Sequence, residues 1–240
     1  MQASLFDDPV AGTETIKANL SATGLTARQK LLLLALNLIP LLQIITLALL
    51  LFWPSSWLWR ALIGVAALYL LPPALATIVR KAWLIPEGRI AVGSTAFFAW
   101  WALLQLQMIF CRFSSLEEAL RLVPGLYSLW LRLWGARIGR LTFWSPGTVI
   151  MDRSYLQVGN DVVFGADVRI NPHMIVKNSQ GAFELLLATV RIGDGARVGG
   201  YALLAPGAEI AADEVTDALL VLPPFSTFKN GKRSRVKEKQ

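Results

Sequence analysis

The sequence predicts apolar α-helices in a membrane followed by a parallel β-helix, and three observations carry that prediction. From Val158 to Ile175 the chain falls into sixes: Val158, Phe164 and Ile170 open successive blocks, and Val162, Val168 and Met174 recur four places on. Two long apolar runs, Leu31 to Trp53 and Trp57 to Val79, precede the repeats. The composition is 55% hydrophobic with nine tryptophans and a mean hydropathy of +0.51, well away from an ordinary soluble chain.

The six-residue beat returns after an interruption as Ile192-Gly193, Val198-Gly199, Leu204-Ala205 and Ile210-Ala211, with Ala196, Ala202 and Ala208 in the fourth-on slot. A weaker copy precedes it through Ile138-Gly139, Trp144-Ser145 and Ile150-Met151. A period of six fits neither a helix nor a flat amphipathic strand. It suits a chain that turns a corner every six residues and points one large and one small residue per face into a narrow core. Coils of this kind stack because none can bury its own inner face alone.

Taken in order, residues 1–29 are polar and lack a basic segment followed by an apolar core, so they read as a solvated tail or short in-plane helix rather than a cleaved signal peptide. Residues 30–89 read as a transmembrane helical hairpin: the run from Leu31 is uncharged and long enough to cross ~30 Å of hydrocarbon, and Pro54-Ser55-Ser56 supplies a turn. Arg60 lies one turn into the second run, where its side chain can snorkel to the headgroups beside Trp53, Trp57 and Trp59. Arg28 and Lys30 flank the entry and Arg80, Lys81 and Arg89 the exit, which places both ends in the cytoplasm. The competing reading, two buried helices of a soluble core, lacks soluble mass to cover them.

Residues 90–134 read as re-entrant or in-plane amphipathic helices. Ile90 to Cys111 is uncharged but diluted by Gly93, Ser94, Thr95, Gln105 and Gln107, and Arg112, Arg121, Arg132, Arg137 and Arg140 follow. Their retention on the cytoplasmic side argues against a simple span. Leu116, Leu120, Val123, Tyr127 and Trp130 recur at helical spacing, with Pro124 dividing the segment in two. Cys111 reads as a packed thiol rather than an acylation site.

Residues 135–221 are the repeat domain, about four coils of eighteen residues, with Lys177 to Thr189 thrown out from one corner as a loop. Residues 222–240 are a basic tail that concentrates much of the net charge of +7: Lys229, Lys232, Arg233, Arg235, Lys237 and Lys239 stand against Glu238 alone. One cysteine excludes an internal disulfide framework and any multi-cysteine metal site. One histidine, His173, is the only side chain whose ordinary pKa suits a base at neutral pH.

Leu-Trp-Gly-Ala-Arg-Ile-Gly (133–139), Val-Arg-Ile-Gly-Asp-Gly-Ala-Arg-Val-Gly (190–199) and the lone histidine before the interruption resemble the membrane-anchored members of the hexapeptide-repeat acyltransferases. The resemblance spans about residues 133–228. It implies a left-handed parallel β-helix, often trimeric, and acyl transfer from a thioester such as acetyl-CoA or a longer acyl-CoA to a hydroxyl or amine. Similar transferases carry their catalytic histidine at such a junction, which implies that His173 is the general base. A base needs an orienting partner; Glu184 on the interruption and Asp152, Asp161 and Asp167 on the coils are candidates, and Asn171 could hold the ring or the substrate. Gly199 and Gly200 leave room for a pantetheine arm, although a repeat turn is reason enough for glycine. Lys229, Lys232 and Arg233 suit nucleotide phosphates, anionic lipid headgroups or simply a solvated tail. The exit Phe228-Lys229-Asn230-Gly231-Lys232 lacks the Pro-Ala that many relatives carry.

The membrane segments suggest a lipid-linked substrate and lipid partners on a bacterial-type inner membrane, with the β-helix on the cytoplasmic side. The entry motif and histidine are also similar to the membrane-tethered terminal domains of certain peptide synthetases, which implies a carrier-protein aminoacyl thioester as a second donor class and amide formation as a second reaction. A non-catalytic scaffold is the reading from another class; it would not need His173. The carbonic anhydrases of this fold need three metal-binding histidines, so no metal is expected. There is no Walker loop, dinucleotide fingerprint or zinc spacing, and the basic tail is not a nucleic-acid module.

Overall fold

The computed structural model describes residues 24–235; most of the polar N-terminal segment, and Lys237, Glu238 and Lys239 of the basic tail, lie outside the described residues. Helices α1 (Ala27–Asn37) and α2 (Ile39–Leu51) are separated only by Leu38, where Pro40 opens the second. Thr26 caps α1 in a capping box with Gln29, and Gln29 Nε2 donates to the Gly93 carbonyl at 2.9 Å, tying the cap to a later turn. Helices α3 (Trp57–Tyr69) and α4 (Leu71–Ala82) break at Leu70 because Pro72 and Pro73 have no N–H to continue the ladder. Ala27–Leu51 and Trp57–Ala82 are each long and apolar enough to cross a membrane by length and composition. None of the residues of α1, α2 and α3 is buried. Arg60 donates to the Leu51 carbonyl at 2.8 Å and so satisfies a carbonyl at the C-terminal end of α2.

Strand β1 (Gly88–Ala91) leads into α5 (Thr95–Arg112), which Ser94 caps through the Phe97 amide at 3.2 Å. Ten residues of α5 are buried, so this helix is packed into the molecule rather than laid upon it. It bends by 79° into α6 (Ser115–Arg121). After a break at Leu122 to Gly125, α7 (Leu126–Leu133) carries Trp130, Leu131 and neighbouring Trp134 onto the first coil. One apolar core runs unbroken from Ala76, Leu103 and Phe110 through Trp130 and Trp134 to Ile150, Ile170 and Phe228.

The repeat region visits three parallel sheets in rotation. The strands are β2 (Arg137–Ile138), β3 (Phe143–Trp144), β4 (Val149–Ile150), β5 (Leu156–Val158), β6 (Val163–Phe164) and β7 (Arg169–Ile170). Strands β8 (His173–Lys177) and β9 (Phe183–Leu187) interrupt them, followed by β10 (Val190–Ile192), β11 (Arg197–Val198), β12 (Leu203–Leu204), β13 (Glu209–Ile210), β14 (Val221–Leu222), β15 (Ser226–Lys229) and β16 (Lys232–Arg235). One face stacks β2, β5, β10, β13 and β15, the second β3, β6 and β11, the third β4, β7, β12 and β14. The block-opening residues align: Ile138 on Val158, Val158 on Ile192, Ile192 on Ile210 and Ile210 on Phe228. All five are buried. On the second face the rings of Trp144 and Phe164 stack 4.4 Å apart and 4° from parallel.

Three sequence expectations change here. The interruption is an antiparallel hairpin beginning at His173 itself, closed by Asn178 Oδ1 accepting from the Gln180 and Ala182 amides at 3.0 and 2.9 Å. Strand β1 adds to its outer edge, which fixes it to the helical part. Met174 therefore leaves the coil and is 36% exposed instead of filling the core. Stacking also continues past residue 221: β15 closes the first face, and β15 and β16 form a hairpin in which Lys229 pairs with Lys232.

Candidate active site

Two departures from the six-residue rhythm occur at the same corner of the prism, one coil apart. Between β4 and β5 a short 3₁₀ turn, Arg153–Tyr155, is inserted after Asp152. Between β7 and β10 the hairpin is inserted after Pro172. Because Ile150 lies directly against Ile170 in the ladder, the residues following each meet, and Asp152 Oδ2 is hydrogen-bonded to His173 Nδ1.

Asp152 is held from the other side by α5. Trp100 Nε1 donates to Asp152 Oδ1 at 2.9 Å, and the Trp100 ring meets the His173 ring edge-on, centroids 4.9 Å apart. The carboxylate side chain is 2% exposed, that of His173 18%. An ionised carboxylate can only accept, so the neutral imidazole carries its proton on Nδ1 and presents the Nε2 lone pair. Nε2 has no hydrogen-bond partner among the described residues. Burial pulls the His173 pKa down, but the charge of Asp152 and its hydrogen bond outweigh it, and the net shift is upward. The pair is a partly exposed histidine oriented by a buried carboxylate, an arrangement that leaves Nε2 chemically available.

The residue after Asp152 is gripped as firmly. Arg153 is wholly buried and ion-paired with Glu117 of α6; its Nη1 donates to Gln107 Oε1 at 2.8 Å, and its guanidinium lies 5.4 Å from the Trp130 ring centre. Trp100 and Gln107, two turns apart on α5, thus hold consecutive residues of the coil.

The other sequence candidates are placed elsewhere. Glu184 sits on β9 opposite Val176, accepts from Asn178 Nδ2 at 2.9 Å and faces Arg89 Nη1 at 3.5 Å. His173 pairs with Leu187, three positions and thus about 10 Å along the strand from Glu184. Asn171 is half-buried, and its backbone amide donates to the Leu204 carbonyl at 2.9 Å in the coil ladder. Asp161 pairs with Arg197 at 3.1 Å, and Asp167 takes a corner with φ of 57°. A side chain at Gly199 would overlap the Asp217 carbonyl, and one at Gly200 would come within 3.2 Å of the Ala166 carbonyl. Close stacking of coils therefore occupies the space beside both glycines. Lys229, Lys232 and Arg233 are on the terminal hairpin, where Arg233 Nη1 donates to the Val221 carbonyl at 3.1 Å. Among the described residues there is no cluster of three or more metal-ligating side chains.

The sequence matches no protein-family model and no curated protein. Solved structures similar to it include a hexapeptide-repeat acetyltransferase of Vibrio cholerae O1 biovar eltor complexed with acetyl-coenzyme A. Identity there is 15%, 57% of this chain and 90% of that one are covered, and the TM-score is 0.38. A galactoside acetyltransferase in complex with coenzyme A is similar at 13% identity over 54% of this chain and 80% of its own, with a TM-score of 0.34. A maltose O-acetyltransferase from Clostridium difficile 630 follows at 14% identity, 56% and 89% coverage and a TM-score of 0.30.

Proposed function

We propose that this chain is a membrane-anchored acyltransferase in which His173, oriented by Asp152, is the general base. The observation that carries the reading is the Trp100–Asp152–His173 chain of hydrogen bonds, its carboxylate buried, at the one corner where both insertions of the coil meet. In the reaction, Nε2 of His173 takes the proton from an acceptor hydroxyl or amine as that atom attacks the thioester carbonyl carbon. The carbon–sulfur bond then breaks, and the departing thiolate receives the proton from Nε2. Acyl-CoA is the donor that the sequence resemblance favours. Exposed apolar helices at Ala27–Leu51 and Trp57–Ala82 support lipid as their surroundings, and a lipid-linked acceptor suits that setting. A trimer is the assembly that accords with the resemblance and with a base lying at the surface of a single chain.

The test is transfer of label from acetyl-coenzyme A, and separately from a long-chain acyl-coenzyme A, into the membrane extract of the host by the purified protein. His173→Ala should lose about 10²–10⁴-fold in rate while remaining folded. If the parent protein labels nothing from either donor, the donor assignment is wrong. If His173→Ala labels at the parent rate, the base assignment is wrong.

A further inference from the structure

A hollow of about 280 Å³ lies between the end of the second apolar helix and the first face of the coil, lined by Arg80, Glu87, Arg137 and Tyr155 among others. We propose that it binds the phosphate of an amphiphile, with Arg80 and Arg137 supplying charge and the Tyr155 hydroxyl a neutral donor.

The arginines are free to do so. Among the described residues neither Arg80 nor Arg137 forms an ion pair. The one carboxylate lining the hollow is already engaged: Glu87 Oε1 accepts from Thr189 Oγ1 at 2.6 Å, Oε2 from the Thr189 amide at 3.0 Å, and Arg191 stands 3.9 Å away. Arg80 is seated rather than loose. Its guanidinium occupies the place a side chain would take at Gly135, where φ is +94°, and Nη1 donates to the Trp134 carbonyl at 3.2 Å. That leaves the remaining donors of the planar fork for a ligand.

Tyr155 adds a second, independent sign. It is 9% exposed, yet its hydroxyl has no hydrogen-bond partner among the described residues and is not sealed from solvent. Burial raises its pKa; Asp152 and Glu87 add to the rise and Arg80 opposes it. Tyr155 belongs to the same buried apolar cluster as Trp100 and Leu187, and Leu187 is the ladder partner of His173. Two guanidinium groups and a hydroxyl match the three peripheral oxygens of a phosphate better than the two of a carboxylate.

The rim points to an apolar tail on the ligand. Trp83 and Leu84 follow Ala82, the last residue of the apolar helix, and are 47% and 89% exposed. A phosphate held by Arg80 and Arg137 would place its attached chain along these residues, at headgroup level. The lipid source rests on the membrane reading of the helices; the phosphate site does not depend on His173 being a base. The other source of the same chemistry is the nucleotide phosphate of coenzyme A.

The experiment measures binding of dihexanoyl phosphatidate to the detergent-purified full chain, by native mass spectrometry or calorimetry. We expect it to bind at least tenfold more tightly than dihexanoyl phosphatidylcholine or inorganic phosphate. Arg137→Gln, at an exposed position, should weaken binding tenfold or more, and Tyr155→Phe by a smaller factor. His173→Ala should bind like the parent, so that loss of transfer and loss of this site are separable. Equal binding of the two lipids, or of inorganic phosphate, would overturn the proposal, as would Arg137→Gln binding phosphatidate like the parent. Displacement of phosphatidate by coenzyme A, lost in Arg137→Gln, would assign the site to the donor nucleotide and overturn the lipid source.

Discussion

Trp100 of α5 and Asp152 of the first coil are joined by a 2.9 Å hydrogen bond that crosses from the helical part of the chain into the β-helix. Its partner carboxylate oxygen holds His173. The helix read from sequence as re-entrant or in-plane is therefore the support of the proposed base, and its position sets the geometry of the pair.

Trp100→Phe removes that donor and leaves one oxygen of a buried carboxylate unsatisfied. Hydrogen bonds to charged groups are worth about 1.5–3 kcal/mol, so we expect a ten- to hundredfold fall in transfer rate with only a modest loss of thermal stability. An unchanged rate alongside a folded protein would show that Asp152 does not need α5.

Glu117→Gln tests the neighbouring ion pair. Arg153 and Glu117 have side chains 1% and 6% exposed, and stripping one partner from a buried pair costs about 3–5 kcal/mol. The melting temperature in detergent should drop sharply. Arg121, which reaches the same carboxylate at 3.3 Å and keeps the Thr148 carbonyl at 2.7 Å, loses its Glu117 partner as well and so adds to the cost. A melting temperature equal to the parent would mean that the pair contributes no net stability.

Gly199→Ala and Gly200→Ala separate two reasons for glycine. An added methyl at Gly199 meets coil backbone, whereas at Gly200 the nearest carbonyl is 3.2 Å away. We expect Gly199→Ala to destabilise by about 1–3 kcal/mol and Gly200→Ala by less, read from thermal unfolding. Similar stability of both variants, with coenzyme A binding lost, would favour pantetheine approach over stacking.

The coil was legible because its inner face recurs in sequence: Ile138, Val158, Ile192, Ile210 and Phe228 can only align if the chain turns every six residues. The hairpin was not, since Met174 happens to continue the apolar beat and hid the departure of β8 from the coil. Asp152 was one candidate among four, and Glu184 was preferred to it for its place on the interruption that follows the histidine in sequence. The ladder itself held the signal: Ile150 and Ile170 open equivalent blocks, so residues just beyond each must be neighbours. Trp100 left no such trace, because its contact depends on how a helix packs against a coil fifty residues on, which no periodicity records.

In the proposed reaction His173, with its pKa raised by Asp152, is the base. The protonated ring gains from the pair, so that contribution to stability is present in full below the ordinary histidine value of ~6.5 and fades as pH rises through the higher folded value. Activity follows the opposite course, since only the neutral ring accepts a proton. The measurement is kcat/KM for acyl transfer against pH in the parent and in Asp152→Asn. We expect the parent's acid limb above ~6.5, and in Asp152→Asn a limb displaced to lower pH, where burial acts alone, with a plateau lowered by about 10²-fold or more. Superimposable profiles in the two proteins would contradict the account.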